Sequence, residues 1–411
     1  MQITKSEVTK IPYLDGLRGV AALMVMFAHL MITLYPAVIT FLPSEVHTSY
    51  DVALGISPFS FLWRGNFAVC IFFVISGYVL SEFCSKTKLS FPAQIVRRYF
   101  RLAFPMLITS MFAWALLRFN LYNNYKASSI THSGWLSMWY QFHPYFFKMV
   151  VEALYGAFVK GSAIYNSNLW TMQIELIGSV YVFLLHSLFK NRYLRLGLII
   201  WYISNNIHNY LILFACGAFL FDFKDEIILF LRLAIPYDRL RNIFVIMGFC
   251  FSVYLGAFPE LQPGMTSPWY PGFTPHLQGW HMLGATLLVM FLFNWQKMQE
   301  WLGSQIGKFL GKISFVLYLI HLPIICCLTA WIIYFTRRLP YPVATFLAAG
   351  LTIPFVVLIS ALTYQYVDQY TTSFSRWAGR YFDRCFSFKN KKLVDEEQGV
   401  ERPEVVLEGN T

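Results

Sequence analysis

A chain of 411 residues is long enough for two or three soluble domains, but 57% hydrophobic residues against 13% charged ones, with 40 Phe, 25 Tyr and 12 Trp, exclude a water-soluble surface. A net charge of +11 would suit a nucleic-acid partner; in a chain this apolar, basic residues instead collect in cytoplasmic loops, so no nucleic-acid partner is expected. Seven cysteines, an odd count without CxxC or a His/Cys cluster of ligand spacing, give no disulfide framework and no metal site.

Apolar stretches near ~18 residues recur along the sequence, each able to cross a ~30 Å hydrocarbon layer. They predict about ten transmembrane helices, at 17–40, 66–84, 102–119, 169–189, 194–206, 209–223, 242–258, 280–294, 313–335 and 342–367. The first is read as a retained helix rather than a signal peptide: it is long, lacks a small-residue cleavage pattern and carries Asp15, Arg18 and His29. The fifth is short enough for a tilted or re-entrant segment. With both termini in the cytoplasm, 24 of the 32 Lys and Arg fall on the inner side, and the pair Arg337 and Arg338 is the awkward exception. The expected fold is therefore an all-α integral membrane bundle: a cytoplasmic tail at 1–12, a transmembrane domain at 13–368 and a cytoplasmic tail at 369–411.

Two connections stand out. The segment 120–168 mixes Trp135, Trp139, Tyr140, Phe142, Tyr145, Phe146 and Phe147 with polar residues and suits an interfacial amphipathic helix. The outer loop 259–279 has five prolines and no Lys or Arg, and reads as an ordered lid or loop. The tail after Asp368 opens basic and aromatic, with Arg376, Trp377, Arg380, Tyr381, Phe382 and Arg384, as a helix on an anionic leaflet would. From Lys391 it turns acidic and is expected to be disordered.

Ionisable groups at membrane depth are costly, so each invites a functional hypothesis. His29 follows Arg18 by eleven residues, ~16 Å deeper and within ~20° of the same helix face, with Asp15 one turn before Arg18 to hold its guanidinium at the membrane edge. A neutral imidazole near mid-bilayer suits deprotonation of a hydroxyl; a packing histidine bonded to a neighbouring helix is the other reading. His321, nine residues past Lys312, lies ~14 Å in from the same side. Glu175, five residues past Trp170, is ~8 Å deep from the opposite side and either orients an imidazole, binds substrate hydroxyls or pairs with a buried base. Arg98 and Arg101, at i and i+3, present two guanidinium forks fit for the phosphates of coenzyme A, or else mark the cytoplasmic end of the helix.

The segments Tyr13–Gly19, His29, Phe72–Tyr78, Arg97–Arg101, Leu169–Glu175 and Ile313–His321, in that order, resemble the membrane acyltransferase-3 family over about residues 11–367. The four-residue step from Arg101 to Pro105 is similar to the family's fungal branch. The resemblance implies a membrane O-acyltransferase that moves an acyl group, often acetyl, from acyl-CoA as co-substrate, with no bound cofactor, to a hydroxyl of a sugar, glycan, lipid or small metabolite. It implies that His29 acts as general base, or as an acyl-carrying nucleophile, with Asp15, Arg18 and Glu175 in the catalytic group. Arg98, Arg101, His321, Trp170 and Ser76 fall to donor or substrate binding, with Ser76 and Gly77 also suiting close packing. The family's Trp-Ser-Leu-x-x-Glu pattern carries Thr171 and Met172 here, which retain a hydroxyl and an apolar group. The expected location is an endomembrane such as the endoplasmic reticulum, with the plasma membrane as alternative. A proton-coupled transporter relaying protons through His29, Glu175 and His321 is the competing function, though neither broken helices nor repeated halves accompany it.

Overall fold

The computed structural model describes residues 11–206, 209–270 and 277–397, and the regular elements among them are all helices. The ten expected segments correspond to α1 Pro12–Leu34, α2 Gly65–Lys86, α3 Phe91–Arg118, α4 Trp170–Leu188, α5 Arg192–Asn205, α6 Leu211–Asp222, α7 Asp238–Gly256, α8 Leu277–Leu292, α9 Gln305–Ile324 and α10 Tyr341–Thr363. Seven helical stretches are long and apolar enough to cross a membrane, α9 being extended to Phe335. The other three, α5, α6 and α8, have 14, 12 and 16 residues. At 1.5 Å per residue they fall short of a ~30 Å core.

The first helix sits several residues earlier than the apolar pattern suggests. Pro12 opens it, where a missing N–H costs nothing. Tyr35 stops it at φ −136° and ψ 66°, because the residue before a proline, here Pro36, is steered out of helical geometry. His29 is therefore five residues from the helix end, ~8 Å, and not mid-span.

Two crossings hold the bundle through backbone contact. A Cβ on Gly19 of α1 would meet the Cβ of Leu310 at 2.5 Å, and one on Gly311 of α9 would meet the Asp15 carbonyl oxygen at 2.5 Å. Between α2 and α6, a Cβ on Gly77 would lie 2.3 Å from the Phe214 carbonyl oxygen and one on Gly217 2.2 Å from that of Val74. Small residues supply this approach because lipid gives no hydrophobic drive for helices to associate.

The interior of α9 is irregular where the histidine sits. Pro323 lacks the N–H that would bond the Leu319 carbonyl. Asn166 Nδ2 donates to that oxygen instead, at 2.7 Å, and Asn168 Nδ2 donates to the Tyr318 carbonyl at 2.9 Å. A widened π-helical turn at Ile325–Thr329 follows. The loop before α4 is thereby fastened to the turn of α9 that carries His321, which is fully buried.

The last span does not end at Asp368. It passes through a π-helical turn, Tyr364–Asp368, into α11, Gln369–Glu397, forming one rod over Tyr341–Phe386. This extension runs antiparallel along α3: Arg101 grips Asp368 at 2.5 and 3.0 Å. Phe374 sits edge-on to Phe100 and Phe104, and Asp383 Oδ1 accepts the Ser90 N–H at 2.9 Å. The acidic end of the tail, with Glu401, Glu404 and Glu408, lies outside the described residues, as do the N-terminal residues 1–10 and part of the outer loop, 271–276.

The 120–168 segment is a set of short helices, among them Asn124–Thr131, Gly134–Ser137 and Phe146–Val151, rather than one amphipathic helix. The described part of the outer loop is ordered: Tyr270 is buried and packs on Tyr254 and Phe258.

Candidate active site

Helices α1, α2, α3, α4 and α9 enclose a cavity of about 170 Å³ lined by Arg18, Ser76, Arg98, Arg101, Glu175 and Tyr318 among others. The end of the bundle where α1 and α3 begin is the basic face. Five of the residues expected from sequence thus meet in one chamber. Arg98 Nη2 donates to Glu175 Oε1, Arg98 Nε donates to Ser179 Oγ at 2.8 Å, and Ser76 Oγ donates to the same carboxylate at 2.8 Å. Glu175 therefore pairs with a buried base, one of the three roles open to it from sequence. Arg18, which lines the chamber, is 3.8 Å from Asp15. Ser76 faces the chamber while Gly77, its neighbour, makes the close approach to α6.

Neither His29 nor His321 lines this chamber. They form a second centre towards the far face, where His29 Nδ1 and His321 Nε2 are 2.9 Å apart. The direction of this bond follows from chemistry. His321 Nδ1 lies 2.9 Å from the Leu317 carbonyl, which can only accept, so that nitrogen carries the proton. In a neutral His321 the Nε2 is then a bare acceptor, and His29 Nδ1 must donate to it. The remaining lone pair of the dyad falls on His29 Nε2. Trp135 stacks on the His29 ring from the other side, with centroids 5.2 Å apart. The imidazole is half-buried, and its basic nitrogen is fixed in direction by the other nitrogen.

Tyr318 belongs to both centres. It lines the arginine chamber, packs against Phe72 at 5.8 Å, and its ring centre is 6.1 Å from that of His321. Its hydroxyl is held by Thr171 at 2.9 Å and donates to the Asn168 carbonyl at 3.1 Å. Above His29, at the far face, His47 stacks on Tyr341 at 3.9 Å and on His132 at 4.8 Å. Burial lowers the His47 pKa below the ordinary histidine value, which keeps the ring neutral at pH 7. Trp170 stands apart from both centres, 40% exposed, with its ring against Tyr210.

Sequence reasoning missed Asp368, Tyr318, Asn166 and Asn168. Asp368 had one signal, a lone carboxylate at the end of an apolar run opposite a helix opening with three arginines. The asparagines had another, since Pro323 inside an apolar run leaves a carbonyl in need of a donor.

Residues 11–362 match the family model described as an acyltransferase domain, Acyl_transf_3. The chain belongs to the acyltransferase-3 family. Among characterised relatives it is similar to the O-acetyltransferase PaAT-1 of Phomopsis amygdali, 24% identical over 425 residues that cover 89% of this chain and 84% of the relative. No solved structure matches it. As a family member the chain is a membrane-embedded acyltransferase, and both centres lie inside the matched region.

Proposed function

We propose that the enzyme transfers an acyl group, most simply acetyl, from acyl-coenzyme A to a hydroxyl of a small molecule, lipid or glycan, with His29 as general base. The observation that carries this reading is the polarised histidine pair, which leaves a single basic nitrogen at His29 Nε2. In the reaction that nitrogen takes the acceptor's hydroxyl proton, the oxygen attacks the thioester carbonyl, and the carbon–sulfur bond breaks to release the coenzyme A thiolate. The proton on His29 then returns to the sulfur. His321 supports the intermediate imidazolium by accepting from His29 Nδ1, the part a carboxylate plays in a serine hydrolase triad.

The donor approaches from the basic face, read as cytoplasmic, with its acyl-bearing arm passing through the arginine chamber and by Tyr318. Arg18 and His29 are ~16 Å apart along α1, a span that suits an extended arm better than a bare acetyl group. The position of His29 ~8 Å from the far end of α1, with Trp135 against its ring, supports an acceptor arriving from the far face. Ionisable groups on the transporter reading would form a continuous relay. Glu175 is instead committed to Arg98, and the relative's name describes acetyl transfer.

Full-length protein in lipid nanodiscs, given acetyl-CoA labelled in the acetyl group and an organic extract of the host cell, is expected to release free thiol and to move label into hydroxyl-ester products. Binding of acetyl-CoA without release of thiol or transfer of label would remove the enzymatic reading of this site.

A further inference from the structure

The two arginines expected to hold the donor's phosphates are already neutralised. Arg98 is bound by Glu175, and Arg101 is held bidentately by Asp368, which is 2% exposed. A phosphate reaching either would have to displace a carboxylate. One turn away towards the basic face the situation is reversed. Arg97 lies over the Phe83 ring at 4.4 Å, and among the described residues no carboxylate is within ion-pair distance of Arg97, Arg376 or Arg380.

These three arginines are brought together by the docking of α11 on α3. A Cβ on Gly379 would meet the Arg97 Cβ at 2.9 Å, so only a glycine lets the helices approach this closely. Arg376 and Arg380 flank that glycine and lie within electrostatic range of Arg97. Arg376 has only a long contact of 3.4 Å to Ser373 Oγ. The docking is built on both sides of the cluster, by Asp368 with Arg101 and Phe374 with Phe100 and Phe104 at one end, and by Asp383 with the Ser90 N–H at the other. Gathering three like charges is unfavourable unless an anion joins them. Guanidinium forks match phosphate oxygens in geometry as well as charge.

We infer that Arg97, Arg376 and Arg380 form a phosphate-binding site, completed by α11, for the nucleotide end of the acyl donor. The inference rests on the reading of the donor as acyl-coenzyme A. Arg97 is one turn, ~6 Å along α3, from Arg101, which lines the chamber, so a phosphate-bearing head here is continuous with an arm in the chamber. The α11 arginines lie beyond residues 11–362, outside the part of the chain matched to the family. Anionic lipid headgroups carry the same phosphate chemistry and are the other source.

The test uses full-length protein in nanodiscs of neutral phosphatidylcholine and in nanodiscs containing anionic phosphatidylserine, with coenzyme A and pantetheine as probes. The double variant Arg376→Gln/Arg380→Gln is expected to weaken coenzyme A binding about tenfold or more, with a flatter salt dependence, in both kinds of disc. Pantetheine, which has no phosphate, should bind the variant as it binds wild type. Arg384→Gln, which removes one positive charge from α11 outside the cluster, is compared with each single variant, Arg376→Gln and Arg380→Gln, as the charge control and should leave coenzyme A binding unchanged. If the variant binds coenzyme A as wild type does but no longer enriches phosphatidylserine around itself, the phosphate site stands and its ligand is the lipid. If both measurements match wild type, the site is overturned. Failure of wild type itself to bind coenzyme A in either disc would defeat the donor reading, and the lipid measurement would then decide the site alone.

Discussion

Replacing His29 by alanine is expected to lower acyl transfer by ~10²- to 10⁴-fold, the range a positioned general base supplies, while acetyl-CoA binding stays near wild type. On the proposed reading the donor's phosphate end is held on the basic face and does not depend on the imidazole. Alanine leaves His321 Nε2 without its partner, at a cost of about 1–3 kcal/mol if the site stays dry. His29→Gln separates this effect from chemistry, since its amide can still donate to His321 but offers no base. Both variants should elute as monodisperse protein and bind acetyl-CoA, and both should fail to release thiol. His321→Ala should fall between them and wild type, because His29 keeps a base but loses the acceptor that fixes its tautomer. Turnover of His29→Gln within tenfold of wild type would take this residue out of the proton transfer.

The pair between Arg98 and Glu175 carries the second large effect, this time on stability. The two side chains are mostly withdrawn from solvent, and Ser76 and Ser179 complete their hydrogen bonds. Removing one partner strands a charge in a low-dielectric interior, so Arg98→Met or Glu175→Leu alone should each cost about 3–5 kcal/mol. The double variant should recover much of that loss, because two apolar side chains leave no orphan charge. Thermal unfolding of the four proteins in detergent measures the cycle. Because both residues line the chamber, the double variant should fold without regaining wild-type affinity for acetyl-CoA. Additive losses in the cycle would mean the two groups are not coupled.

The helical membrane fold and five residues of the chamber were legible in the sequence because lipid as solvent leaves two strong signals: apolar length, and ionisable residues where they are expensive. Arg18, Ser76, Arg98, Arg101 and Glu175 were all singled out, and all line the chamber. Helix rotation was not legible, so sequence alone could not tell that His29 and His321 point at each other while Trp170 turns away towards Tyr210. Depth was misjudged for a local reason. The apolar pattern runs through to residue 40, but Tyr35 before Pro36 ends α1 early and moves His29 towards the far face. The partners of the arginines were also out of reach, since the contact of Arg101 with Asp368 spans 267 residues and depends on α10 continuing into α11 alongside α3. Among the described residues, seven rather than ten helices have spanning length. The shortness of α5 was legible, but the pattern of apolar runs does not distinguish a full span from α6 or α8, which are apolar but short.

The account depends on a donor held by its phosphates at the basic face with its sulfur delivered to His29. An experimental structure of the full-length enzyme with coenzyme A bound in nanodiscs tests it most directly. The account predicts the nucleotide beside Arg97, Arg376 and Arg380, the pantetheine arm through the arginine chamber past Tyr318, and the sulfur about 3–4 Å from the space in front of His29 Nε2. Coenzyme A bound from the far face, or an arm that ends in the chamber with Tyr318 closed between its sulfur and the histidine pair, would contradict it.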